Sequence, residues 1–254
     1  MTTHVIGAGL AGLAAALAVR GPVTVHEAAV AAGGRARALP DGTDNGTHAL
    51  LGANRAALDF LRGIGALGDW VEPEPEGLPV LDLADGQARR VALSPLGWLR
   101  AARRPDGLTP RALMSLMRLA GPGDRAVGPA LSDHPAFLRG FVEPLVIAAL
   151  NTPVGEASSR RLAAVLRRVG VPGAARLLVA RRGLGPDLVE PALAAIRARG
   201  CTIRHGARLR ALRIENGRLA ALDFGDEILV LGEGDRAILA LPPWEAARLL
   251  PGLR

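Results

Sequence analysis

The run Gly7-Ala8-Gly9-Leu10-Ala11-Gly12 places three glycines between a short apolar stretch, His4-Val5-Ile6, and an Ala/Leu-rich one, Leu13–Val19. At that spacing each glycine has separate work to do. Gly7 permits a tight turn out of a strand, and Gly9 lets the backbone approach a pyrophosphate with no Cβ in the way. Gly12 allows a helix to pack closely on the strand. A helix starting here offers unpaired N–H groups and the positive end of its dipole to phosphate oxygens. Glu27 ends the run Val23-Thr24-Val25-His26, 20 residues after Gly7. A carboxylate at that distance accepts hydrogen bonds from the ribose of an adenine nucleotide. The chemistry indicated is dinucleotide binding.

Gly33-Gly34-Arg35 follows soon after the acid. Gly34 gives the chain room, and Arg35 brings a fixed charge to phosphate or flavin. This segment resembles the second signature of flavoproteins built like amine oxidases and phytoene desaturases. It favours FAD over a nicotinamide dinucleotide, whose enzymes usually continue into another helix here. The expected cofactor-binding residues are Gly7, Gly9, Ala11, Gly12, Glu27, Ala28, Gly34 and Arg35. In the resembling flavoproteins an Asp-x-Gly segment passes beside the isoalloxazine ring. Asp44-Asn45-Gly46 stands at that point, which makes His48 a candidate neighbour of the flavin; a hydrogen-bonded structural histidine is the equal alternative.

These residues need elements to position them. Strands are expected at His4–Ile6 and Val23–His26, with a helix between them ended by Gly21-Pro22. Helices are expected over 54–64, 98–104, 110–119, 136–150, 158–169 and 188–199, with Ser158-Ser159 as a cap. Asp85-Gly86 marks the turn of a strand pair over 80–91, and Asn216-Gly217 the first turn of a meander over 209–231. Residues 237–241 read as a final buried strand, halted by Pro242-Pro243. The fold class is therefore α/β: a Rossmann-like FAD-binding domain over 1–80 and 181–254, a mostly helical inserted substrate domain over 81–180, and a small antiparallel β meander. Leu113, Met114, Leu116, Met117 and Leu119 give the helix at 110–119 enough apolar surface to line a lipid pocket, or to pack as an ordinary core helix.

The 254 residues suffice for one large domain or two smaller ones, and 49% hydrophobic content excludes global disorder. Aromatics are only 3% and Tyr is absent, so the core is expected to be aliphatic, and base-stacking platforms are excluded. All 31 basic residues are Arg and the net charge is +7, but no nucleic-acid recognition motif accompanies them. Cys201 alone cannot form an internal disulfide or a cysteine metal cluster, and no metal site is expected. It reads as a buried structural thiol in a reducing cytoplasm. The apolar run Val5–Val19 is too short to span a bilayer.

The most specific text lies in the middle of the chain. Phe137-Leu138-Arg139-Gly140-Phe141-Val142-Glu143-Pro144-Leu145, Ala148-Ala149-Leu150-Asn151-Thr152-Pro153 and Ala157-Ser158, with Asp44–His48, Leu50-Leu51-Gly52, Ala240-Leu241-Pro242-Pro243 and Leu249–Leu253, closely resemble the squalene-associated FAD-dependent desaturases, the hydroxysqualene dehydroxylases of hopanoid synthesis. The resemblance covers essentially the whole chain and implies reductive dehydroxylation of hydroxysqualene to squalene. A flavin amine oxidase, a carotenoid desaturase or an inactive nucleotide-binding fragment are the alternatives. The resemblance also implies a general acid, for which Glu143 and His48 are candidates, Glu143 reading equally as a helix-end carboxylate before Pro144, and puts the backbone of Leu209 against the adenine. Family members run further at the C-terminal end, which implies a shortened chain. The expected partners are a small apolar isoprenoid substrate, other squalene-synthesis enzymes and no nucleic acid. Trp98–Arg104 is amphipathic, which suits either an ordinary solvated helix face or docking on anionic lipid. A cytoplasmic protein, peripheral to the inner membrane, follows from these expectations.

Overall fold

The computed structural model describes residues 1–46, 49–83 and 86–252. They form two compact units: 1–48, 56–71 and 179–254 make the first, and 49–55 with 72–178 make the second. His48 lies outside the described residues, as does Asp85 of the expected turn.

The first unit is built on four parallel strands. β1 (Thr3–Ile6) is central, flanked by β2 (Val23–His26) and by the strand Arg236–Leu239, with Thr202–Arg204 beyond β2. A parallel pair needs a crossover, and the helix α1 (Leu10–Ala18) supplies it. Successive side chains of β1 face opposite ways. Val5 packs with Leu13, Ala16, Val25, Ala192 and Ile196, which joins α1 and the helix Glu190–Ala198 to the sheet. Ile6 packs with Leu209, Leu222, Phe224 and Leu249 toward the meander. Each buried Val, Leu, Ile or Phe side chain among these contributes about 1.5–3 kcal/mol. The meander strands are Ala211–Glu215, Arg218–Asp223 and Ile228–Val230, antiparallel throughout. Asn216 and Gly217 both take positive φ, +51° and +75°, as a two-residue hairpin turn of the primed type requires. Cys201 is buried and carries no disulfide.

In the second unit, the helices Pro110–Arg118, Val127–Ala130, Glu143–Leu150 and Ser159–Val169 accompany a hairpin of Leu78–Asp82 with Gln87–Val91. Its core is not purely aliphatic, contrary to expectation. Trp98 meets Phe141 edge-on at 5.3 Å, and Phe137 stacks on Phe141 at 5.7 Å, so three of the chain's seven Phe and Trp rings gather here.

Two further expectations need correction. The segment 98–104 forms two 3₁₀ turns, Pro95–Leu99 and Ala101–Arg103, in place of a helix. Trp98 is buried and its indole N–H donates to Ala92 O at 2.8 Å, while Arg104 Nε donates to Trp98 O at 2.5 Å. These tertiary bonds fix the local path and override helix propensity. The stretch expected as one helix over 136–150 is interrupted by a π-turn, Leu138–Val142. Pro144 has no N–H and its ring would crowd the carbonyl four residues back. The Glu143 N–H reaches five residues back instead, to Leu138 O, which widens the turn. The same device recurs at Glu190-Pro191, where the Glu190 N–H meets Gly185 O after the π-turn Gly185–Val189.

Candidate functional site

The site is assembled at the carboxyl ends of β1 and β2. Gly7 follows β1 with φ +103°, and its N–H donates to His26 O at 2.7 Å, tying the turn to the end of β2. A Cβ on Gly7 would stand 2.5 Å from Ala240 O, and one on Gly12 would stand 1.8 Å from Gly7 O. Both positions exclude a side chain for internal reasons. Gly9 differs: a Cβ there would meet nothing within 4 Å. Open space above this one glycine, at the start of α1, is what a pyrophosphate in van der Waals reach of the backbone requires. Gly9 caps α1 without a side-chain bond, leaving the first-turn N–H groups of Leu10, Ala11 and Gly12 without intrahelical partners.

Glu27 closes the arrangement from β2. Its Oε2 accepts from Ala8 N at 2.7 Å and its Oε1 from Ala29 N at 2.8 Å. Each carboxylate oxygen retains a second acceptor position, so hydroxyls can still be bound. Ala28, exposed, sits between these anchors. The Gly33-Gly34 turn lies directly against the first: Gly33 N donates to Ala8 O at 2.8 Å, and Gly9 and Gly33 form a parallel bridge. A Cβ on Gly34 would come within 3.3 Å of Gly9 Cα. Arg35 is exposed on the following 3₁₀ turn. The structure therefore brings Gly7, Gly9, Ala11, Gly12, Glu27, Ala28, Gly34 and Arg35 to one sheet end.

Leu209 joins them through the backbone. Glu27 O accepts from Ala207 N at 2.8 Å and Ala29 O from Gly206 N at 3.2 Å, so the chain entering Leu209 runs beside Glu27 and Ala28. The Leu209 side chain is buried, and its carbonyl accepts from Arg248 Nη2 at 3.1 Å. Glu143 belongs to the second unit. It is half-buried at the start of the helix Glu143–Leu150, beside a shallow hollow of about 460 Å³ that Pro135, Ala136, Leu138 and Arg139 also line.

Two contacts in this unit lay beyond sequence reading. Gly46 lies against the Arg35 backbone, where a Cβ would approach Arg35 O to 2.9 Å. The spacing after Gly34 signals this contact only weakly. The second is a pair of buried imidazoles, with His4 Nδ1 and His26 Nε2 3.2 Å apart. His26 stacks on Phe224 at 4.8 Å, and its Nδ1 is buried with no hydrogen-bond partner among the described residues. Burial, then the neighbouring His4 and Arg204, push the His26 pKa down to about 4; burial lowers His4 as well. Both rings are therefore neutral at pH 7. No cluster of three or more metal-ligating side chains occurs among the described residues.

With this geometry in place, comparison with known proteins is decisive for the family. The model of the flavin containing amine oxidoreductases matches residues 10–254. The chain belongs to this family. A hydroxysqualene dehydroxylase of Rhodopseudomonas palustris is 40% identical over 100% of the chain, and one of Zymomonas mobilis is 34% identical over 99%. The chain spans 64% of the length of each of these relatives. Among solved structures, an oxidoreductase from Methanosarcina mazei superposes with TM-score 0.71 at 18% identity, over 100% of this chain and 62% of that one. That likeness shows a shared fold. For a flavin containing amine oxidoreductase, the open cradle over Gly9 and the acid at Glu27 suit the nucleotide portion of a flavin cofactor.

Proposed function

We propose that this chain carries the FAD-binding unit, Rossmann-like in design, of an oxidoreductase that removes the hydroxyl group of hydroxysqualene to give squalene in hopanoid synthesis. The observation that carries the cofactor half of this reading is the contrast among the three glycines: two are closed by backbone, and the third is open to a ligand. Identity of 34–40% to hydroxysqualene dehydroxylases, spread over nearly the whole chain, carries the substrate half. FAD is preferred to FMN because Glu27 and the α1 N-terminus are built for a ribose and a pyrophosphate.

The overall change is R–OH plus a hydride and a proton to R–H plus water. Reduced flavin, when bound, supplies the hydride. The chain's own tasks are to hold the dinucleotide at Gly9 and Glu27, to protonate the departing hydroxyl, and to keep water from the allylic cation that its loss leaves. We assign the protonation to Glu143, with His48 as the second candidate. A half-buried carboxyl beside a hollow lined by Pro135, Ala136, Leu138 and Arg139 supports the choice of Glu143. In this reading the second unit holds the apolar isoprenoid substrate. None of the described helices is long and apolar enough to cross a membrane. We place the protein in the cytoplasm, peripheral to the inner membrane, where other squalene-synthesis enzymes would deliver its substrate.

Anaerobic turnover of hydroxysqualene by the flavin-reduced protein, with squalene measured by chromatography, tests the assignment. Squalene formation is expected. A flavin-loaded protein that oxidises an amine and leaves hydroxysqualene untouched would contradict it.

A further inference from the structure

We propose that residues 95–121 of the second unit form a docking surface for an anionic lipid bilayer. The inference names the surface for the membrane contact proposed above and is independent of the flavin.

The segment contributes Trp98, Ala112, Leu116 and Leu119 to the core of its unit. Leu108 packs partly against that core, while four other large apolar side chains of the segment are more than half exposed. Leu96 is 63% exposed and Leu99 77%, on the first 3₁₀ turn; Met114 is 52% exposed and Met117 68%, on the helix Pro110–Arg118. The apolar residues of that helix are thus divided between core and solvent.

The charge of the segment is predominantly positive. Residues 95–121 hold five arginines and a single acid, Asp106. Asp106 is engaged by Arg89 at 2.8 Å, Arg103 pairs with Glu76, and Arg104 is bound to Trp98 O. Arg100, Arg111 and Arg118 are exposed and have no carboxylate partner among the described residues. Arg118 Nη2 lies 3.4 Å from Met114 Sδ, so cation and apolar group share one face of the helix.

Three occupants suit an apolar, cationic face, and the composition chooses among them. A second copy would bring its own excess of arginines against these and be repelled. Single-stranded nucleic acid needs exposed rings, and the ring in this segment, Trp98, is buried. Flexible Met and Leu side chains ringed by long guanidinium stems match acyl chains beneath anionic headgroups, because arginine stems lie along apolar surface while the charge reaches the headgroup.

The test is co-sedimentation of the full 254-residue chain with vesicles of phosphatidylcholine alone or mixed with phosphatidylglycerol. Binding to the mixed vesicles, weakened by added salt, is expected. The double variant Leu99→Ser, Met117→Ser keeps the charge unchanged and should lose on the order of tenfold in affinity. Val230→Ser, exposed on the meander, should lose nothing. Thermal melts establish that each variant is folded, since all three positions are solvent-exposed. Failure to bind the mixed vesicles would overturn the proposal. So would undiminished binding by the double variant, which would mean adsorption through charge alone. Vesicle binding without squalene formation would leave this surface standing and sink the substrate assignment, and the reverse pattern would do the opposite.

Discussion

At the scale of single residues, the glycines make opposite predictions. Gly9→Ala adds a methyl group to open space at a residue with φ −71°, an ordinary value for any side chain. Its melting curve should move by less than about 1 kcal/mol, while its flavin content falls sharply. Gly12→Ala drives a Cβ against Gly7 O and should cost about 1–3 kcal/mol of stability through overpacking, with flavin loss as a consequence of the damaged fold. Chemical denaturation and absorbance of the two variants together separate a ligand-facing glycine from a packing glycine. Equal destabilisation of both would contradict the division of labour. Glu143→Gln should retain flavin and lose about 10²-fold or more in turnover, as removal of a general acid does. A flavin-loaded variant with full turnover would pass the role to His48 or another group.

The imidazole pair sets a pH dependence. The folded protein holds His26 at about 4 against an ordinary 6.5, so between these values the unfolded chain binds more protons than the folded one. Stability is complete above pH 6.5 and declines as pH falls toward 4, by about 3 kcal/mol if the whole shift is expressed. His4 from β1, Arg204 from the neighbouring strand and Glu227 are the groups that act on this ring; Glu227 opposes the trend and the others reinforce it. Melting temperature followed from pH 7 to pH 4 should fall, and should fall less in His26→Phe, which keeps a flat ring against Phe224. No sequence pattern announced this pair. Nothing in the spacing of His4 and His26 says that their rings meet; only the parallel register of β1 with β2, Thr3 beside Val23 and Ile6 beside His26, brings them within reach.

Among the elements, those with local causes were legible. The βαβ unit follows from glycine spacing and apolar runs, and the hairpin from Asn216-Gly217, since turns, caps and periodicity act within a few residues. Ser158 was readable as a cap for the same reason, and its Oγ accepts from Arg161 N at 3.2 Å while donating to Asp124. Ser158→Ala should lower stability by about 1 kcal/mol and leave flavin content unchanged, a result that calorimetry and absorbance report together. Elements decided by distant contacts were misread. Trp98 gives up a helix for a place in an aromatic cluster whose members come from residues 98, 137 and 141. The π-turns before Glu143-Pro144 and Glu190-Pro191 were also misread, as uninterrupted helix, although their cause is local: a missing N–H must be accommodated in the preceding turn.

For the whole molecule, the two signatures Gly7–Gly12 and Gly33–Gly34 are separate in sequence and in contact in the fold, with Glu27 bonded to the first. Sequence spacing named these residues; their tertiary contacts add the asymmetry between Gly9 and its neighbours. The central claim is that this sheet end holds FAD. The visible absorption spectrum of the purified chain, with the released cofactor identified by chromatography, tests it most directly. A flavin spectrum yielding FAD at close to one per chain, and lost in Gly9→Ala, is the predicted result. A colourless protein that takes up no added FAD, although folded by its melting curve, would contradict the account.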